Sequence, residues 1–247
     1  MQEIPDGSVD LILCDLPYGI TANSWDKVID FKKLWKEYHR ISKPDTPIVL
    51  TAQQPFTTDL INSNRKEFRY CWQWCKHKTV GFLNAKKRPL MVFEDVVVFY
   101  RKAGRYFPIM RQGKMREKGR EGKQLSTNYR GTYGPVKSMN NLYYPTQLID
   151  IPKENKEQAH PTQKPIALME YLIRTYTKVG DTVLDNCMGS GTTGVACIST
   201  GRNFIGIELD EKWYEYAKER IKDEFSRRDE TEAEPNVVGG KQMRMDI

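Results

Sequence analysis

The stretch from Thr182 to Gly194 constrains the fold more than any other part of the chain. An apolar run, Thr182–Leu184, leads into Asp185-Asn186-Cys187-Met188 and then Gly189-Ser190-Gly191-Thr192-Thr193-Gly194, a literal G-x-G-x-x-G. Glycines at this spacing let backbone approach a ligand closely and open a helix whose first N–H groups lack partners within the helix. A second unit of the same kind stands near the N-terminus. There the apolar run Val9–Cys14 leads into Asp15-Leu16-Pro17-Tyr18, and a helical pattern follows from about Asp26 to Ile41. Pro47–Ala52, Phe68–Trp74, Asp95–Tyr100 and Phe204–Glu208 read as further strands, and Gln54–Ser63 as a short helix. This alternation predicts an α/β fold, a doubly wound, mostly parallel sheet covered on both faces, with two antiparallel runs in its middle.

The 247 residues suffice for one sizeable domain with an insertion. Residues 1–100 and 151–225 read as two halves of that domain. Residues 101–150, rich in Gly, Lys, Arg, Tyr and Asn and without periodicity, read as an inserted loop or small subdomain, poorly ordered without a partner. Residues 226–247 read as a frayed, disordered tail. Between Arg101 and Arg130 ten Lys/Arg stand against two Glu, a surplus of +8, so the rest of the chain carries about −1 of the net +7. A basic block confined to one segment suits a polyanion, because Lys/Arg contacts to phosphate release counterions.

No run of about 18 apolar residues predicts a membrane span, and the N-terminus has no secretory pattern. Five scattered cysteines suit a reducing cytoplasm rather than a disulfide framework. Cys71, Cys75 and His77 are close in sequence. No second Cys/His pair follows at finger-like spacing, and the alternation of Tyr70–Cys75 suits a strand, so no metal is expected.

Asp15–Tyr18 carries a chemistry of its own. An exocyclic amino group on a nucleobase is a poor nucleophile, since its lone pair is delocalised into the ring. Acceptors aimed at its two hydrogens favour the tetrahedral nitrogen that must form as it attacks an electrophilic carbon. Asp15 can supply a carboxylate and the Leu16 or Pro17 carbonyl a second acceptor. Pro17 stiffens the loop, and Tyr18 offers a flat face for an extruded base. The glycine loop and Glu208, 14 residues after Gly194 and able to accept both hydroxyls of a ribose, indicate an adenosine-bearing cofactor. They do not by themselves separate a nicotinamide dinucleotide from other cofactors. Ahead of the loop, His160-Pro161-Thr162-Gln163-Lys164-Pro165 sets a hydroxyl and a cation at a helix start, where they could hold a methionine carboxylate and amine.

In this combination the chain resembles the β-type DNA amino-methyltransferases, which modify adenine N6 or cytosine N4 and place the catalytic motif first and the cofactor motifs last. The resemblance spans residues 1 to about 225 and includes Gly81–Pro89, as in members from phages and restriction systems, and Gln54-Pro55-Phe56, where the family contacts cofactor. It implies that Asp15, Pro17 and Tyr18 are catalytic. Asp185, Cys187, Gly189, Gly191, Thr192, Glu208, Thr162 and Lys164 would surround S-adenosylmethionine. Arg105, Arg111, Lys114, Arg116 and Lys118, with Lys86, Lys87 and Arg88, would bind double-stranded DNA.

An acidic first position favours adenine N6 over the Ser-Pro-Pro-Tyr form usual for cytosine N4. Cytosine-N4 methylation and a non-catalytic DNA-binding protein are the alternatives. A nicotinamide oxidoreductase leaves Asp15–Tyr18 and the basic block unexplained. A cognate restriction enzyme is a candidate partner, and nothing in the sequence sets an oligomeric state. Leu16 replaces the usual proline, with activity expected to survive. Relatives carry an upstream strand and a Gly-Asp-Cys-like turn ahead of the segment matching Met1–Val9. With Met1 as its first residue, the chain is expected to have one strand fewer and weaker cofactor binding.

Overall fold

A computed structural model of the chain describes residues 1–21, 23, 26–120, 124–125, 132–133, 136–153 and 163–233. Its elements in chain order are β1 (Leu11–Asp15), α1 (Phe31–Ile41), β2 (Ile48–Ala52), α2 (Phe56–Ser63), β3 (Phe68–Val80) and β4 (Met91–Phe99), then β5 (Arg111–Arg120), β6 (Gln124–Leu125), β7 (Thr132–Tyr133), β8 (Val136–Tyr143) and β9 (Leu148–Asp150). The last part holds α3 (Ile166–Tyr176), β10 (Thr182–Asp185), α4 (Thr192–Thr200), β11 (Asn203–Gly206) and α5 (Glu211–Ala233).

Seven strands form the main sheet in the order β11-β10-β1-β2-β4-β3-β9, with β4 alone antiparallel to the rest. The central strands β1 (LILCD) and β2 (IVLTA) are apolar almost throughout because both faces of the sheet are covered. Alternate residues serve alternate cores. Ile12, Cys14, Ile48, Leu50, Val97 and Phe99 pack against Leu34, Trp35, Tyr38 and Ile41 of α1 and Phe56 and Leu60 of α2. On the opposite face Leu11, Leu13, Val49, Trp72, Trp74, Val96 and Val98 pack against Leu168, Leu172 and Ile173 of α3 and Ala196 and Cys197 of α4. In α1 the buried positions fall one and two turns apart, and Asp30 caps the helix by accepting from the Lys33 N–H.

The expected doubly wound sheet is the fold found, and three local differences have physical causes. The β3–β4 pair runs further than its apolar pattern suggests, since the outer ends of both strands are held by cross-strand pairing rather than by burial. The inserted segment contains an antiparallel pair, β5 with β8, and its far end, β9, joins the main sheet beside β3. Its near end is fixed to the core, where the Phe107 N–H donates to the Thr175 carbonyl. Finally, α5 continues through Ala233, beyond the point near Arg227 where periodicity fades. Residues 234–247 lie outside the described residues. Among the described residues no helix is long and apolar enough to cross a membrane.

From β1 the chain moves to β2 on one side, and from β10 it moves to β11 on the other. The carboxyl ends of β1 and β10 are therefore adjacent at the point where the winding reverses, the place where open α/β sheets form a crevice. Asp15 closes β1 and Asp185 closes β10.

Candidate active site

Asp15 is the hub of this crevice. Its Oδ1 accepts from the Tyr18 hydroxyl at 2.6 Å and from the Thr51 hydroxyl, and its Oδ2 accepts from Lys164 Nζ at 2.5 Å. Thr51 stands directly beside Asp15 in the β1–β2 ladder, which is why the one polar side chain in that stretch of β2 points at the carboxylate. Tyr18 also donates toward Thr51 at 3.1 Å, and Phe56 stacks on its ring with centroids 5.1 Å apart. Burial by itself raises a carboxyl pKa. Here the Lys164 ammonium, helped by the two hydroxyls, outweighs it and holds Asp15 below the usual carboxylate range. The Tyr18 phenol is driven well up, first by burial and then by the Asp15 and Glu94 charges, so it remains a donor.

Lys164 stands just before α3 and is buried, yet its ammonium is held in the charged form by Asp15 and Glu94 against the effect of burial. Glu94 Oε2 lies 3.5 Å from Lys164 Nζ, and its Oε1 accepts from Lys76 Nζ at 2.9 Å. Lys76 is itself 4% exposed. A buried chain of alternating charge therefore runs Lys76–Glu94–Lys164–Asp15, as buried charges require partners to persist. Lys164 was expected at the methionine end of a cofactor; the structure places its ammonium on the Asp15 carboxylate. Thr162 lies outside the described residues.

The loop after Tyr18 is shaped by Asp26, which sequence reasoning missed. Its carboxylate accepts from the N–H groups of Gly19, Ile20 and Thr21 at 2.7, 3.0 and 2.7 Å. These bonds overcome its desolvation and keep it below its ordinary pKa. Tyr38 is a further tie: its hydroxyl donates to Asn186 Oδ1 at 2.6 Å and so joins α1 to the glycine loop.

At the end of β10 the Asp185 carboxylate accepts from the Cys187 N–H at 3.1 Å and the Thr193 hydroxyl at 2.7 Å. Burial dominates, and its pKa is pushed up to about 6. Gly191 has φ 76°, and a Cβ there would come within 2.8 Å of the Ala217 Cβ on α5. Gly194 is as constrained, since a Cβ would lie 2.4 Å from Ile221. The first glycine starts α4 and the second lets α4 and α5 pack. No side chain caps α4, so its N-terminus is presented to the crevice by backbone alone. Glu208 closes the loop's mouth. Its Oε2 accepts from the Gly189 N–H at 2.9 Å, and its Oε1 from the N–H groups of Leu209 and Asp210 at 2.8 and 3.0 Å. The half-buried Cys187 lies against the α1-side core, and Thr192 is buried at the helix start. A glycine cradle, an uncapped helix start and a fixed carboxylate fit an adenosine-bearing cofactor.

The basic residues divide. Lys86, Lys87 and Arg88 are exposed just beyond a turn at the end of β3, and Arg111 and Lys114 are exposed on β5. Arg116 lies over the Tyr143 ring at 3.5 Å. Of Lys118 the backbone alone is described. Arg105 does not join them. It pairs with Asp10 at 3.1 Å, Asp45 at 3.1 Å and Asp181 at 2.9 Å, next to the starts of β1, β2 and β10 and at the end of the sheet away from Asp15. Three carboxylates make it a clamp between strand entries rather than a ligand for phosphate. Cys75, His77 and Asp150 come together with ligand atoms within 4.8 Å, His77 already bonded to Asp150, whereas Cys71 packs toward the α1-side core.

The family described as "DNA methylase" matches residues 9–219. The DNA adenine methyltransferase YhdJ of Escherichia coli (strain K12) is 30% identical over 242 residues, covering 90% of this chain and 79% of that protein. The Type II methyltransferase M.HpaI of Haemophilus parainfluenzae is 24% identical over 239 residues, covering 92% and 72%. Among solved structures, the M1.HpyAVI–SAM complex superposes with a TM-score of 0.58 at 25% identity, covering 89% of this chain and 90% of that one. The PvuII DNA methyltransferase, cytosine-N4-specific, shares the fold with a TM-score of 0.61 at 15% identity, covering 92% and 87%. The chain belongs to the N6/N4 DNA methylase family.

Proposed function

We propose that the protein transfers a methyl group from S-adenosylmethionine to the exocyclic N6 of adenine in double-stranded DNA. The observation that carries this reading is the Asp15 carboxylate, held ionised at the carboxyl end of β1 beside the glycine loop at the end of β10. Bound there, the cofactor supplies an electrophilic methyl on a sulfonium. The glycine loop and the uncapped start of α4, with Glu208 and Asp185, would hold it.

The chain's own residues do the rest. Asp15 accepts a hydrogen bond from the amino group of the flipped base and stabilises the positive charge that builds on nitrogen during attack. Its pKa lies below the ordinary range, so it works as an acceptor and an electrostatic partner rather than as a strong base. Lys164 fixes the carboxylate's direction, and the Thr51 and Tyr18 hydroxyls fix its other oxygen. Pro17 stiffens the turn, Tyr18 presents its ring to the base, and Phe56 backs that ring. Arg111, Lys114, Arg116 and Lys118 on the β5–β8 pair, with Lys86, Lys87 and Arg88, contact the phosphate backbone.

The acidic first position of Asp15–Tyr18 favours adenine over cytosine. Transfer of labelled methyl from S-adenosylmethionine to unmethylated duplex DNA tests the reading. Label is expected with the natural chain and not with Asp15→Ala, while both bind DNA alike. Equal labelling by the two proteins would remove Asp15 from the mechanism.

A further inference from the structure

The β3–β4 hairpin carries residues that methyl transfer itself does not use. Level with Asp15 and Thr51, β4 contributes Val96 and β3 contributes Trp72. One residue further Ala52 pairs with Asp95, and beyond that both strands continue without β2 beside them. From Asp95 to Met91 is about four strand residues, or about 14 Å. Because β3 runs parallel to β1 and β2, this overhang projects from the edge of the sheet that holds Asp15 and Lys164.

The tip is a closed turn. Gly81 turns the chain at φ 87°, Phe82–Asn84 form a single 3₁₀ turn, and the Lys87 and Arg88 N–H groups donate to the Asn84 carbonyl at 2.8 and 3.0 Å. This bonding holds Phe82 and Leu83 out in solvent, 76% and 84% exposed. Two adjacent large apolar side chains held out of the core need a partner surface to be anything but a cost. The charge around them indicates which surface: from Lys78 to Phe93 there are four Lys/Arg and no Asp or Glu. A second copy presenting the same basic tip would be repelled, whereas a duplex offers phosphates for the cations and stacked bases for the apolar groups.

We propose that this tip is a wedge that enters double-stranded DNA beside the target base, Phe82 and Leu83 occupying an opened base step while Lys86, Lys87 and Arg88 hold the flanking phosphates. The proposal rests on the reading that the chain flips a base out of a duplex. Extrusion costs stacking and pairing energy, and apolar side chains that fill the opened step recover part of it.

The experiment uses the full chain with Phe82→Ala and Leu83→Ala together, both outside the core, with a thermal melt to confirm an unchanged fold. Methyl-transfer kcat/KM is measured on a duplex carrying the sequence that the natural chain modifies. It is measured again on the same duplex with an abasic site opposite the target base, where pairing no longer holds that base in. The expected result is a loss of roughly tenfold or more on the paired duplex and near-normal rates on the unpaired one. An undiminished rate on the paired duplex overturns the wedge. So does an equal loss on both substrates, which would assign the tip to folding or self-association. A natural chain that methylates neither DNA overturns the functional reading itself, and the wedge with it.

Discussion

Replacing Lys164 with Met keeps most of the side chain's volume and removes the cation from Asp15. The pair is 2.5 Å apart with side chains 9% and 26% exposed. At an effective dielectric constant of about 20, its gross attraction is roughly 6–7 kcal/mol. Desolvation of both ions offsets much of that, and removing one member of a buried pair typically costs about 3–5 kcal/mol. The lower end, about 3 kcal/mol, is expected here because Thr51 and Tyr18 still donate to Asp15 Oδ1. The pH dependence separates this from a loss of packing. In the natural chain the Asp15 pKa is depressed, so its contribution is present above about pH 4 and is lost only as pH falls through the depressed value. Without Lys164, burial is opposed only by the Thr51 and Tyr18 hydroxyls, and the carboxyl rises above its ordinary value. Its contribution is then present below about pH 4 and is lost as pH rises through the raised value.

Denaturant unfolding at several pH values, followed by tryptophan fluorescence, should therefore show a stability gap that is widest near pH 8 and narrows toward about pH 5. Asp185 titrates in both proteins and cancels from the difference. Adding Asp15→Asn to the variant should restore most of the loss, because the charge left unpaired is then gone. A gap constant with pH and unrelieved by Asp15→Asn would refute the electrostatic explanation and leave only packing.

Asp15→Asn alone should lower kcat by roughly 10²-fold or more while DNA affinity measured by anisotropy stays within about twofold, since the carboxylate acts mainly in the transition state. Asp185, raised from 3.8 to about 6, makes a contribution that is full below about pH 4 and is lost as pH rises through 6, roughly 3 kcal/mol in all; Asp185→Asn should flatten the fall in unfolding free energy between about pH 4 and 7. Gly191→Ala should cost about 1–3 kcal/mol in denaturant unfolding and weaken S-adenosylmethionine binding by calorimetry, because both its φ of 76° and the approach to Ala217 exclude a Cβ. Neutralising Arg111 and Lys114 should weaken DNA binding and lower its salt slope by about one for each phosphate left without its cation, whereas Arg105→Gln should leave the slope unchanged and lower stability.

The sheet was legible because its central strands are short apolar runs, each followed by a loop with its own chemistry, at the ends of β1 and β10. Asp15, Tyr18, Asp185, Gly191 and Glu208 gather at one crevice for the same reason: motif residues stand at or just past strand ends, and the winding rule brings those ends together. Thr51, Lys76, Glu94 and Asp26 were not found, although three of them lie within strands. Each carries its meaning through a neighbour in the fold, Thr51 by pairing with Asp15 and Glu94 by facing Lys76 and Lys164. A polar residue at a core-facing position of a strand was the available signal: Lys76 keeps the inward alternation of Trp72 and Trp74. Arg105 misled because composition counts a cation without seeing the carboxylates around it. The basic insertion looked irregular because its two long strands pair with each other and their described side chains are mostly exposed, which leaves no apolar alternation to read.

The most direct measurement is nucleoside mass analysis of unmethylated duplex DNA after incubation with the natural chain and isotopically labelled S-adenosylmethionine. Label in N6-methyladenine, absent with Asp15→Ala, is the expected result. Label in N4-methylcytosine would contradict adenine as the target, and no labelled nucleoside, with the DNA still bound, would contradict catalysis itself.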